Sequence, residues 1–202
     1  DSKGNMIEYS SYISDGSLVE KALYKYNLYG NVIERIKYEN NNNINGVPNL
    51  VVKNIYKYDS ENLVEKQIYF NNLDGTRFWY YKEIYKYDSK GKLIEFNFYN
   101  KNDVIEKKIV NKFDPKGNMI ESMEFALLPI SLRNKLMERE NYKYIYNSEG
   151  NVIKSSKYDR NELQETIVCK YDFKGNMIEK VLYKFNTLIP YNFNEYIIEY
   201  YE

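Results

Sequence analysis

The sequence predicts an all-β chain: one extended antiparallel sheet, curved or spiralling, built from seven β-hairpin repeats across residues 1–202. Three observations predict it. A turn phrase returns along the chain, as "DSKGNMIE" from Asp1, "DSKGKLIE" from Asp88, "DPKGNMIE" from Asp114 and "DFKGNMIE" from Asp172. Looser copies are "NLYGNVIE" from Asn27 and "NSEGNVIK" from Asn147. Segments on both sides of the phrase alternate with period two, the signal of a strand with two different faces. Finally, there are 24 tyrosines against four prolines, and tyrosine suits a pleated surface where its ring packs and its hydroxyl stays wet.

The turn comes first. Its seven copies start at Asp1, Asn27, Asp59, Asp88, Asp114, Asn147 and Asp172, spaced by 25 to 33 residues, as in a repeat array with loop insertions. Asp or Asn fills all seven first positions, and Gly stands three residues later in six of them. That spacing predicts a type I turn closed by a left-handed glycine, the three-residue hairpin with a G1 bulge. The copy "DSENLVE" from Asp59 lacks the glycine and is one residue shorter. It predicts a tighter turn, with Asn62 tolerating the left-handed conformation.

The strands follow. "IYKYD" or "VCKYD" precedes the turn, and "NMIEKVLY" or "NVIERIKY" follows it. Two strands per unit give fourteen across the seven units. At roughly 4.8 Å per strand the sheet is about 65 Å wide, and open twisted sheets of that width curl. With Asp88 opposite Lys92, Tyr87 falls across from Leu93 and Tyr85 across from Glu95. One face is then expected to carry Tyr85, Tyr87, Leu93, Glu95 and Tyr99, repeated as Tyr56, Tyr58, Leu63, Glu65 and Tyr69. On that face each glutamate is placed to accept a tyrosine hydroxyl. The opposite face, with Lys57, Lys86, Lys112 and Lys170, reads as the more solvated one.

Connections at the far edge vary. "SDGS" (Ser14–Ser17) and "LDGT" (Leu73–Thr76) are short, whereas Glu39–Asn49 and Lys184–Asn194 are long. "ALLPISLRNKLMERE" (Ala126–Glu140) is expected to hold one short helix in the fifth repeat, capped by Ser131, with Leu132 and Leu136 on one side. The last strand is expected over Glu195–Glu202. Its apolar "IIEYYE" predicts cover by a protein partner or by further chain.

Composition narrows the chemistry. Lysine plus arginine balance aspartate plus glutamate at 29 each, so no global field draws nucleic acid. Histidine is absent, which removes the commonest general base and metal ligand. A lone cysteine, Cys169, makes no disulfide framework or zinc motif. No run approaches the roughly 18 apolar residues of a membrane helix.

The phrase Y-x-Y-D-x-x-G-(N/K)-x-I, recurring over essentially the whole chain, resembles the YD repeats of bacterial Rhs-type proteins. It is most similar to the short tyrosine-rich versions of exported bacterial proteins. It departs from them at the glycine missing after Asp59, and at Asn111 and Cys169, which replace tyrosines. The resemblance implies a spiralling antiparallel sheet that wraps into a shell, sometimes around a toxin. It also implies an extracytoplasmic location (secreted, periplasmic or cell surface) and no catalytic residue. Seven units are few for enclosing a folded cargo.

An enzyme is not expected. Glu8, Glu34, Glu65, Glu95, Glu121 and Glu179 recur six-fold, whereas an active site is singular. Cys169 reads as a small buried hydrophobe, and the turn aspartates as turn chemistry without metal. No cofactor is implied. The tyrosine columns have two readings, packed rings or a platform for sugar rings. A binding site, if built on them, centres on "RFWYYKE" (Arg77–Glu83), with Trp79, Tyr81, Tyr85 and, from the same hairpin, Tyr69. The expected function is therefore a non-catalytic structural or protein-interaction scaffold of the bacterial exterior. A carbohydrate or cell-wall binding module is the alternative, and a fragment of an Rhs-type toxin-enclosing shell is a third reading.

Overall fold

The computed structural model describes residues 1–39, 50–71, 77–127, 135–184 and 189–198. Fourteen strands hydrogen-bond in chain order, and the first and last are not paired with each other. They are β1 (Glu8–Tyr12), β2 (Leu18–Tyr26), β3 (Val32–Glu39), β4 (Leu50–Asp59), β5 (Asn62–Asn71), β6 (Arg77–Tyr87) and β7 (Leu93–Tyr99). Then come β8 (Ile105–Phe113), β9 (Met119–Leu127), β10 (Leu136–Tyr146), β11 (Val152–Asp159), β12 (Glu162–Tyr171), β13 (Met177–Lys184) and β14 (Pro190–Glu195). The chain divides into two units, residues 1–91 with 96–106 and residues 92–95 with 107–202.

Each full turn is held by its first side chain. The Asn27 carboxamide oxygen accepts the N–H groups of Tyr29 and Asn31 at 3.0 and 2.9 Å. Asp172 likewise accepts Lys174 and Asn176, both at 2.9 Å. An Asp or Asn is needed because only a short acceptor reaches back over its own turn. The Gly30 N–H donates to the Asn27 carbonyl at 3.1 Å, and Gly30 and Gly117 lie at φ 87° and 89°, as the spacing predicts. In the shorter turn Asp59 pairs directly with Asn62. There the left-handed residue is Ser60, at φ 54°, instead of the expected Asn62. With two residues between the paired positions, the positive φ falls inside the turn.

The strands depart from the expected register one step beyond each turn. Tyr26 pairs with Val32 as expected, but Lys25 pairs with Glu34 and Tyr24 with Arg35. One extra residue, Ile33, is therefore accommodated as a β-bulge, and everything beyond it changes face. The same shift sits between Lys57 and Tyr58, Lys112 and Phe113, and Lys170 and Tyr171. The repeated glutamates thus lie with the lysines, not with the tyrosines. Lys25–Glu34, Lys57–Glu65 and Lys112–Glu121 are ion pairs at 2.7 Å, and Lys170–Glu179 is one at 2.9 Å. Lys25, Lys57, Lys86, Lys112 and Lys170 are exposed, so the lysine face is the wetter one.

The tyrosine before each turn staples its hairpin to the preceding one. Tyr26, Tyr58, Tyr87, Tyr146 and Tyr171 donate their hydroxyls to the carbonyls of Met6, Val32, Leu63, Met119 and Val152, at 2.6 to 3.0 Å. The acceptors Val32, Leu63, Met119 and Val152 each immediately precede a bulge residue, where the ladder is disrupted and a carbonyl needs a new donor. Phe113 has no hydroxyl to give. In its hairpin the Asn111 amide, standing in a tyrosine slot, reaches the Leu93 carbonyl at 3.0 Å. The recurrent tyrosine is explained by this bond as much as by ring packing.

Little is deeply buried. Among the described residues only Ala22, Cys169 and Val181 form a buried apolar core, and Asn54, Asn97, Asn141 and Ser156 are buried polar residues. Cys169 is free and buried, consistent with its reading as a small hydrophobe. Stability in such a sheet comes from ladder hydrogen bonds and cross-strand side-chain pairs.

No helix occurs among the described residues. Of the expected helical segment, Ala126 and Leu127 end β9, and Leu136 opens β10 opposite Leu127. Residues 128–134, with Ser131 and Leu132, lie outside the described residues. The final strand lies earlier than expected. Pro190–Glu195 form it, so most of the second half of the expected Lys184–Asn194 connection is strand. Of the expected Glu195–Glu202 strand only Glu195, which faces Glu179, belongs to one among the described residues. Like charges directly opposite weaken a pair. The Tyr196 N–H still donates to the Ile178 carbonyl at 2.9 Å, and residues 199–202 lie outside the described residues.

Candidate functional site

The β5–β6 pairing decides which of the expected site residues meet. Ile68 lies opposite Tyr81, Tyr69 opposite Tyr80, and Phe70 opposite Trp79. Alternation therefore places Tyr81 and Tyr85 on one face and Tyr69 on the other. Tyr69 stacks at 5.1 Å on Tyr80, away from Tyr81. The expected grouping fails for Tyr69 because the bulge at Val64 reverses the face of every later residue in β5. Trp79 is located by its backbone, opposite Phe70; its side chain lies outside the described part.

What gathers around Tyr81 and Tyr85 is a set of phenylalanines. Phe70 meets Tyr81 edge-on at 6.1 Å, and Tyr81 meets Phe98 at 5.1 Å with the planes tilted by 32°. Tyr85 meets Phe96 at 5.3 Å, tilted by 53°. Edge-on and tilted contacts are how rings pack against one another. The Tyr85 hydroxyl donates to Glu83 at 2.6 Å, and burial, then that carboxylate, pushes its pKa far above the ordinary phenol value. Burial also raises Tyr56 and Tyr80. These phenols stay protonated near neutral pH, and Tyr85 acts as a donor, not as a base.

The repeated carboxylates are committed as well. Glu8 pairs with Lys21 at 2.9 Å, Glu34 also with Lys53 at 2.7 Å, and Glu95 with Lys108 at 2.8 Å. With the four pairs described above, all six glutamates of the repeat stand beside a lysine. No group of three or more Cys, Asp or Glu among the described residues is placed to hold a metal ion.

Two features escaped sequence reasoning. "YNKNDVIE" (Tyr99–Glu106) and "YDRNELQE" (Tyr158–Glu165) are further copies of the turn phrase, on the far edge. Asn100 accepts the Asn102 N–H at 2.9 Å and Asp103 takes the glycine place at φ 57°. Asp159 pairs with Glu162 just as Asp59 pairs with Asn62. Searching for Tyr-Asp or Tyr-Asn without requiring glycine finds both. The second feature is the turn apex, where Leu28 and Phe173 are 87% and 88% exposed.

No family model matches the chain, and no curated protein matches it. It is similar to the crystal structures of TcdB2–TccC3–Cdc42 and of TcdB2–TccC3, each at 13% identity and a TM-score of 0.44. In both, 92% of this chain is covered and it spans 13% of the other. A porin-like protein from Bacteroides uniformis is similar at 9% identity and a TM-score of 0.34, over 94% of this chain and 95% of that one. No helix of the described residues is long and apolar enough to cross a membrane.

Proposed function

We propose that this chain is a non-catalytic protein-interaction scaffold of the bacterial exterior whose outer strand is covered by a protein partner or by further chain. The observation that supports it is β14. All six of its residues are exposed, including Tyr191 at 66% and Phe193 at 54%, and its outward backbone edge has no strand partner among the described residues. Exposed apolar side chains on an unpaired edge are what an added strand covers. The proposed location rests on the YD-repeat resemblance alone. The Lys–Glu pairing of the repeated carboxylates supports a structural role for them.

A photo-crosslinking residue at Tyr191 tests this in the producing cells. The expected result is a discrete adduct with one polypeptide, lost when Phe193 becomes Ser. Carbohydrate binding is the second reading, motivated by the rings around Tyr81. A glycan array run with a Trp79→Ala control separates the two. Glycan binding that the control abolishes, with no protein adduct at Tyr191, would overturn the scaffold reading.

A further inference from the structure

β1 and β14 each have a backbone edge with no strand partner among the described residues. Open edges ordinarily carry charges, lysine above all, that discourage pairing with another strand. These two carry no lysine: β1 reads EYSSY and β14 reads PYNFNE. Their charges are Glu8, held by Lys21 at 2.9 Å, and Glu195. What they expose is largely aromatic, with Tyr9 and Tyr12 at one edge and Phe193 and Tyr196 at the other.

The repeat fixes how two such edges meet. Across the Asp172 turn, β12 pairs with β13 so that Cys169 faces Lys180, Val168 faces Val181 and Thr166 faces Tyr183. β14 sits on its inner neighbour in the register of β12. Glu195 faces Glu179 as Val168 faces Lys154, and both partners stand seven residues after the start of a turn. β1 in turn follows the Asp1 turn as β13 follows the Asp172 turn, so Glu8 takes the place of Glu179. It also faces Leu23 as Glu179 faces Glu195. Each edge therefore presents the half of a near-edge pair that the other lacks.

Laying β14 of one copy against β1 of another in the β12–β13 register brings the exposed rings together. Phe193 falls across from Tyr12, and Tyr196 across from Tyr9. Three residues separate the rings on each strand, so one ring pair lies on each face of the sheet. Ile198 falls across from Met6, and both are exposed. Glu195 meets Ser10 and Asn194 meets Ser11, so no like charges oppose, and Pro190 falls beyond the end of β1. Aromatic cross-strand pairs of this kind reinforce the ladder bonds.

We infer that the occupant of the β14 edge is β1 of a second copy of this chain, so that the sheet continues from chain to chain. The second copy is a specific case of the cover proposed above for β14, and stands on that proposal. The contact is heterologous: each association leaves one β1 and one β14 edge open, so growth passes beyond a dimer.

Two variants of the whole chain, each with a lysine placed on one edge, test this. Tyr12→Lys blocks β1 and Phe193→Lys blocks β14, and circular dichroism checks that each keeps the fold. In sedimentation velocity the parent should grow with concentration, and each variant should associate about tenfold more weakly, the scale of an aromatic anchor. An equal mixture of the two should form a dimer and stop there, because only one β14 and one β1 remain able to pair. A second measurement leaves both edges unblocked and the buried Cys169 in place. Phe193→Cys mixed with Tyr12→Cys should form the mixed disulfide faster than Phe193→Cys mixed with Ser11→Cys. A parent that stays monomeric, a folded mixture that stays monomeric, or equal disulfide rates each overturn the second copy as occupant. So does assembly lost with Phe193→Lys but kept with Tyr12→Lys, which would make β14 pair with itself. An adduct at Tyr191 with a different polypeptide would then leave the β14 reading standing, and no adduct would remove that reading too.

Discussion

The hairpins β4–β5 and β8–β9 reach the same pairing through different turns. The first closes with two residues between Asp59 and Asn62, with Ser60 left-handed; the second uses the full Asp114–Asn118 turn, with Gly117 left-handed. Beyond the turn they converge. Each places a ring residue opposite an aliphatic one (Tyr58 on Leu63, Phe113 on Met119), then a bulge, then a Lys–Glu pair at 2.7 Å. The repeat therefore preserves the bulge and the pairs around it, while turn length is free to change. They also differ in the staple, which is a tyrosine hydroxyl in one hairpin and the Asn111 amide in the other.

The largest expected effect comes from the turns. Gly117→Val should lower stability by roughly 1–2 kcal/mol, because a bulky residue at positive φ is strained. The added Cβ itself meets only the flexible Lys92 side chain, at 3.4 Å. In the other hairpin the sign reverses. Ser60→Gly relieves a strained φ and should be neutral or stabilising, less the entropy that glycine loses on folding. Urea midpoints measure both. If both substitutions were silent, conformational strain would not distinguish the two turns.

The staples come next. Tyr58→Phe leaves the Val32 carbonyl without its donor and should cost about 1 kcal/mol, the typical net value of such a bond. Asn111→Ala should cost a similar amount in β8–β9. Phe113→Tyr should change little, because the Leu93 carbonyl already has a donor. A gain from Phe113→Tyr matching the Tyr58→Phe loss would mean that Asn111 is not the substitute staple.

These contrasts show what was legible. Glycine and aspartate at fixed spacing announce the hairpins, because a left-handed position and an Asx acceptor restrict residue type severely. The bulge at Ile33 or Val64 announces nothing, since an ordinary β-branched residue fills it. Missing that residue reverses a face, which is why the glutamates and Tyr69 were expected among the tyrosines. The candidate site was legible only in part for the same reason: Tyr81 and Tyr85 do share a face, but their ring neighbours Phe70, Phe96 and Phe98 come from register. Phe173 needed the exposure of the folded turn to stand apart from its siblings.

The smallest expected effect belongs to the ion pairs, and pH exposes it. Lys112, then Asn141, hold Glu121 below the ordinary carboxylate range against the opposing effect of burial. At Glu65 burial is the largest influence and pushes upward, but Lys57 and Gln67 together outweigh it, so the net direction is again downward. A folded pKa below the unfolded one means that the contribution is complete above the unfolded value, about 4.3 for glutamate. It is lost as pH falls through the folded pKa. Each lysine partner is more than half exposed, so each pair should contribute only some 0.2–1 kcal/mol. The chain should therefore lose stability below about pH 4.3, and Glu121→Gln and Glu65→Gln should each flatten that decline. Glu121→Gln should flatten it more, because Glu121 has Lys143 within 3.9 Å as well as Lys112 at 2.7 Å. Urea titrations at pH 7 and in acid measure the slopes. Identical slopes for parent and variants would show that the turn and the bulge, not the charges, set the register the two hairpins share.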